Sequence, residues 1–206
     1  MKTILCFGDS NTHGARPDGP GRYGWHERWT GLLQQTLGHE YRVIEEGLNG
    51  RTTVFEDEIE CDKSGKRHLP SCLQTHAPLD LVILMLGTND LKRRFSLTPS
   101  DIGRANETLI EIIRKADNER DDPPKILLCA PTYLQEQTFL GEMIGNRKAD
   151  SLRLGEIYQE LAARYGIGFL NVAQITGPSE IDGIHLDLEG HKKLAAALAE
   201  KIRELL

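Results

Sequence analysis

The chain has 206 residues, 39% of them hydrophobic, enough to bury a core within one domain spanning residues 1–206. Its 31 acidic residues outnumber 25 Lys and Arg, which leaves a formal net charge of −6, and no run of basic residues offers a footprint for nucleic acid or an anionic membrane surface. No stretch approaches the length of a membrane span, so neither nucleic acid nor membrane is expected as a partner, and a small neutral or modestly polar substrate is.

The N-terminus, Met1-Lys2-Thr3, passes directly into a short apolar run predicted as a strand over Thr3 to Phe7. That run is too brief for a signal-peptide core and lacks a small-residue cleavage site, so a cytoplasmic location is expected. It stops at Gly8-Asp9-Ser10-Asn11, which places a serine on the turn leaving the first strand. A hydroxyl at the carboxyl edge of a parallel sheet is a common place to build nucleophilic catalysis. Helical period then covers Glu27 to Leu37, and a second strand is predicted over Tyr41 to Glu45, followed by Gly47 and by Gly50 in Asn49-Gly50-Arg51-Thr52-Thr53.

Glu56 to Pro78 reads as irregular, and the next strand, Leu79 to Leu86, runs into Gly87-Thr88-Asn89-Asp90. Thr98-Pro99 signals the start of a helix over Ser100 to Lys115. A strand over Ile126 to Cys129 leads into a second irregular segment, Pro131 to Gly145, then a helix over Arg147 to Tyr165 and a strand over Gly168 to Asn171. After Asp182-Gly183-Ile184-His185, a last helix over Leu188 to Leu206 carries Leu194, Leu198, Ile202 and Leu205 at helical spacing. Short strands alternating with helices predict an α/β fold, a three-layer α/β/α sandwich around a five-stranded parallel sheet. Both irregular segments follow strands and so fall on the edge that carries the motifs, where they are expected to shape the substrate pocket.

Cys6 and Cys129 sit inside apolar strand runs, and the four cysteines are too few for a disulfide framework at this size. Cys61, His68, Cys72 and His76 fall within sixteen residues, but their spacing is not that of a common zinc module, and Pro70 is expected to interrupt any helix that would align them. No metal is therefore expected. No Gly-x-Gly-x-x-Gly motif or phosphate-cradling loop is present, so no nucleotide cofactor is expected either. Gly8-Asp9-Ser10 also differs from the Gly-x-Ser-x-Gly elbow.

A serine hydroxyl needs a base within hydrogen-bond reach, itself oriented by a third group. Asp182 and His185, three residues apart, suit that work, since the carboxylate can hold one imidazole nitrogen while the other faces Ser10. With seven histidines in the chain such a spacing can arise by chance, but this pair sits between the last strand and the last helix. His191 and His13 lack such a carboxylate partner; His191 is expected on a helix surface, and His13, with Asn11, beside the nucleophile in the pocket, as substrate-binding residues. Asp9 and Asp90 are expected to hold their turns through backbone hydrogen bonds.

Serine, glycine, asparagine and histidine in this order resemble the SGNH (GDSL-type) hydrolase superfamily. The resemblance runs through Gly8-Asp9-Ser10-Asn11, Arg28-Trp29, Glu46 to Thr53, Leu86 to Lys92 and Asp182 to His185, nearly the whole chain. It implies a flavodoxin-like fold and a serine esterase in which Ser10 is nucleophile, His185 base and Asp182 its orienter. The oxyanion hole it implies combines the backbone N–H groups of Ser10 and Gly50 with the side-chain amide of Asn89, Gly50 being preferred to Gly47. Asn11 stands where the eponymous pattern has leucine, a departure shared by a subgroup of arylesterases and acyltransferases. Short-chain acyl esters are the expected substrates, with acyl transfer, perhydrolysis and carbohydrate deacetylation as neighbouring activities, and ligand binding or assembly without turnover as the non-enzymatic alternative. Relatives of that subgroup form homo-oligomers; a homo-oligomer is expected here too, with Phe139, Leu140, Met143 and Ile144 available for a subunit contact or for the pocket wall.

Overall fold

The computed structural model describes residues 1–135 and 141–206. Strands β1 (Lys2–Gly8), β2 (Tyr41–Gly47), β3 (Leu81–Met85), β4 (Lys125–Ala130) and β5 (Gly168–Asn171) form one sheet, every pair parallel, in the order β2-β1-β3-β4-β5. The order reverses between β1 and β3, and in such sheets ligands bind in the crevice outside the carboxyl ends at that point.

Side chains alternate between the two faces of a strand, so continuous apolar runs feed two cores. Ile4, Cys6, Leu81, Ile83 and Met85 pack with α2 (Trp29–Leu37) and α7 (Leu188–Leu205). Leu5, Phe7, Val82 and Leu84 pack with α3 (Gly65–His76), α4 (Pro99–Lys115) and α6 (Lys148–Tyr165). The three-layer sandwich expected from the sequence is thus present. Element boundaries differ from expectation by a few residues at most: β3 begins at Leu81, not Leu79, where the Leu79 N–H turns to Asn118 Oδ1 at 2.8 Å. At the start of α4, Thr98 and Asp101 cap each other reciprocally with Pro99 in the first turn.

Two expectations are corrected. The segment Glu56 to Pro78 is not wholly irregular, because α3 runs through Pro70. Proline costs a helix one N–H, but here it sits on an exposed position while Leu69 and Leu73, one turn apart, are buried and anchor the helix. His191 is not on a helix surface. It falls on the same stripe of α7 as Leu194, Leu198 and Ile202, and that stripe packs against α2, so the imidazole is fully buried. Two one-turn helices, α1 (Ser10–His13) and α5 (Gly141–Ile144), complete the α-helices of the described residues. Among those residues no helix is long and apolar enough to cross a membrane.

Candidate active site

The turn after β1 is built by its own sequence. Asp9 caps α1, its Oδ1 accepting the Asn11 N–H at 3.0 Å, so Ser10 becomes the first helical residue at the strand's carboxyl end. Gly8 must be glycine there, since a Cβ would lie 2.1 Å from Thr12 Oγ1 and 2.9 Å from the Met85 carbonyl oxygen. Burial pushes the Asp9 carboxyl up from its ordinary range, against the opposing pull of the Asn11 N–H.

Ser10 Oγ lies 2.9 Å from His185 Nε2, and His185 Nδ1 lies 2.5 Å from Asp182 Oδ2. Asp182 Oδ1 accepts the N–H groups of Ile184 and His185, both at 2.9 Å, which fixes the carboxylate relative to the imidazole it serves. Burial alone would raise the Asp182 carboxyl, but hydrogen bonds from His185 and from those two N–H groups outweigh it and hold the group below its usual value. Asp182 therefore stays an acceptor. With Nδ1–H committed to it, Nε2 is left as an acceptor for the serine hydroxyl.

Two further loops converge on Ser10. After β2, Arg51 is buried under the end of the sheet, its guanidinium 4.1 Å from the centre of the Phe7 ring and donating to the carbonyls of Gly8, at 2.9 Å, and Glu46. This staples the strand ends beneath Gly50, whose φ of +79° calls for glycine. After β3, Asn89 Nδ2 donates to the Arg51 carbonyl at 3.1 Å and makes a long 3.5 Å contact with Asp9 Oδ2. Asp90 does more than hold its own turn: its carboxylate accepts the Thr53 N–H at 3.0 and 3.1 Å and the Thr53 hydroxyl, tying the two loops together. Gly47 plays a different part from Gly50. It ends β2 against α1, where a Cβ would lie 2.1 Å from the His13 backbone nitrogen.

Ser10, Gly50, Asn89, Asp182 and His185 all line one cavity of about 600 Å3. Asn11 and His13 are not among its lining residues, contrary to expectation. The Asn11 amide is spent on the backbone of Ile184 and Leu186, and His13 closes α1 against the end of β2. Met143 and Ile144 do line the cavity, whereas Phe139 and Leu140 lie outside the described residues. The cysteine and histidine cluster is spread out: α3 does align His68, Cys72 and His76, but His76 bonds Glu46 Oε1 at 2.9 Å and His68 bonds the Asp62 carbonyl at 3.1 Å. Among the described residues no three His, Cys, Asp or Glu converge as metal ligands.

Sequence reasoning missed several residues of this site. Tyr158, in α6, donates to the Leu86 carbonyl at 2.7 Å and accepts from Asn106 at 2.6 Å, holding the loop that carries Asn89 from behind. Glu60 and Lys92 line the cavity, as does the turn from Ala15 to Gly21. No local pattern announces any of these.

The model of the GDSL-like Lipase/Acylhydrolase family matches residues 6–193. Among solved structures, the aryl esterase of M. Smegmatis is 37% identical, with a TM-score of 0.95 and 100% of each chain covered. A carbohydrate acetylesterase family member from Sinorhizobium meliloti is 38% identical, with a TM-score of 0.96 over 100% of this chain and 99% of that one. A putative arylesterase from Agrobacterium tumefaciens str. C58 is 36% identical, with a TM-score of 0.94 and 100% of each chain covered. The comparison with curated proteins found no match.

Proposed function

This chain belongs to the GDSL-like lipase/acylhydrolase family, a group of SGNH ester hydrolases, and from that premise we propose that it is a serine esterase acting on short-chain acyl esters through an acyl-enzyme. The observation that carries the reading is the hydrogen-bonded relay of Ser10, His185 and Asp182, at 2.9 and 2.5 Å, opening into a cavity that Gly50 and Asn89 also line.

In this mechanism His185 Nε2 takes the Ser10 proton as Oγ attacks the acyl carbon, and Asp182 steadies the imidazolium. The carbonyl oxygen becomes an oxyanion that meets the N–H groups of Ser10 and Gly50 and the amide of Asn89. Among the described residues neither of those backbone N–H groups donates elsewhere, and one Asn89 hydrogen is engaged only by the long contact to Asp9. As the intermediate collapses, the acyl–oxygen bond to the alcohol breaks and His185 protonates the leaving alkoxide. Water then attacks the acyl-enzyme, giving its proton to His185, and the carboxylic acid leaves as Ser10 is restored. Met143 and Ile144 give the cavity an apolar wall for the acyl group, for which acetyl to butyryl is the proposed range. The likeness to a carbohydrate acetylesterase supports sugar acetates as a second substrate class beside aryl esters.

The test is hydrolysis of p-nitrophenyl esters from acetate to laurate by the wild type and by Ser10→Ala, with and without an added alcohol. Turnover that falls with chain length and is lost in the folded variant is expected, and an ester formed with the added alcohol would extend the activity to acyl transfer. Full activity in Ser10→Ala would refute the reading.

A further inference from the structure

Four charged side chains meet at the cavity wall beside Gly50. Lys92 Nζ lies 2.5 Å from Glu60 Oε1 and 3.4 Å from Asp57 Oδ2, while Arg94 Nη2 lies 2.5 Å from each of those oxygens. Lys92 and Asp57 are buried while Glu60 and Arg94 reach the solvent, so two cations and two anions neutralise one another at the rim of the cavity. Elsewhere on the lining, Arg16 is engaged by Asp18 in a bidentate pair at 2.9 and 2.7 Å. Outside the relay itself, then, the cavity carries balanced charge and suits an uncharged ligand.

Glu60 is turned in a particular way within this cluster. Both cations hold its Oε1. Among the described residues no donor reaches Oε2, which lies over Gly50 so closely that a Cβ on that glycine would be 2.4 Å from it. Glycine is favoured here by its φ of +79°, and its lack of a Cβ leaves room for this oxygen. A partly buried carboxylate oxygen with free lone pairs, facing a cavity, asks for a hydrogen-bond donor. The four charges of the cluster already balance, and Lys63, whose Cε lies 3.4 Å from that same Cβ position, adds a further cation nearby, so a neutral donor suits the site better than a cationic one; it must be carried by a molecule that reaches Gly50, where the reacting carbonyl is expected.

We propose that Glu60 is a specificity residue whose Oε2 accepts a hydrogen bond from a hydroxyl of the ester substrate, so that neutral hydroxylated esters are preferred to matched esters lacking the hydroxyl. This rests on the esterase reading of the site. A site built to bind a hydroxyl rejects the analogue without it, because the acceptor is then desolvated and left unpaired. The hydroxyl belongs either to the alcohol portion, as in a polyol acetate, or to the acyl portion, as in a hydroxy acid ester.

Glu60→Gln is the informative variant. Lys92 and Arg94 will hold the amide oxygen where Oε1 now lies, so the amide NH2 replaces Oε2 at nearly constant volume: a hydroxyl can then meet residue 60 only as acceptor, in a neutral bond weaker than the charge-assisted one it donates to the carboxylate. The measurement is a pair of kcat/KM ratios for wild type and variant: glycerol monoacetate over propyl acetate for the alcohol side, and ethyl 3-hydroxybutyrate over ethyl butyrate for the acyl side. Each ratio is taken on one preparation, so loss of folded protein cancels. The expected result is a wild-type ratio that falls about tenfold in Glu60→Gln in one arm, chiefly through KM, and the arm that responds identifies the portion bearing the hydroxyl. Ser10-dependent turnover with the same ratios in both proteins would overturn this proposal alone. Absence of Ser10-dependent turnover on all four esters would overturn the esterase reading and the role of Glu60 with it.

Discussion

Asn11 Oδ1 accepts the backbone N–H of Leu186 at 2.9 Å, joining the residue after Ser10 to the residue after His185. The other end of the same amide donates to the Ile184 carbonyl at 3.2 Å, so one buried side chain clasps the His185 loop on both sides. Trp29 Nε1 in turn donates to the Asn11 carbonyl at 3.0 Å, tying the clasp to α2. A leucine at this position would have the volume for the space but neither hydrogen bond.

Asn11→Ala should therefore act on stability and turnover together. Two backbone groups would be left buried without partners, a cost of about 2 kcal/mol, and kcat on p-nitrophenyl acetate should fall at least about tenfold as His185 loses its fixed place. Urea unfolding and steady-state kinetics on the same preparation check both. A variant as stable and active as the wild type would show the clasp to be dispensable.

Asn89→Ala should separate transition-state stabilisation from substrate binding. If the amide meets the oxyanion, kcat falls by about two to three powers of ten with KM little altered, as for loss of one oxyanion donor. The Arg51 carbonyl loses a donor in the same change, so the unfolding midpoint should be measured alongside. A rise in KM at constant kcat would instead make Asn89 a ground-state contact.

His191 makes stability depend on pH in a predictable sense. Burial pushes its pKa down to about 4, below the ordinary histidine value. Between that value and about 6.5 the unfolded chain binds a proton that the native protein does not, so stability falls as pH is lowered through this window, by about 3 kcal/mol in all. Asp90, raised by burial to about 6, works in the opposite sense over part of the range. The comparison is accordingly between wild type and His191→Asn, whose side-chain oxygen can still accept the Trp29 N–H that now bonds Nδ1 at 3.2 Å. The variant should lose less stability than the wild type between pH 7 and pH 4.5 by urea unfolding, and identical losses would contradict the assignment.

The strand and helix alternation, the parallel three-layer architecture and the order of the motifs that end at the cavity are legible in the amino-acid sequence. These are local signals: apolar runs set strands, helical spacing sets the covering layers, Gly8-Asp9-Ser10 and Gly87-Thr88-Asn89 mark turns that leave the sheet, and Asp182 to His185 marks the loop ahead of the last helix. Which side chains those segments meet is set by the packing of the layers. Asn11 was legible as a neighbour of the nucleophile, but its partner lies 175 residues away, so its role as a clasp depended on how the last loop returns to the first strand. His191 reads as a polar residue on an amphipathic helix, yet the stripe that packs on α2 includes it. Pro70 reads as a helix breaker, and the burial of Leu69 and Leu73 overrides it. Glu60 carries no motif at all; its orientation follows from Lys92 and Arg94 holding one oxygen and from Gly50 leaving room for the other. Backbone periodicity and turn chemistry are written within a few residues of sequence, whereas burial and hydrogen-bond partners are set by contacts between distant segments, which exist only once the layers have packed.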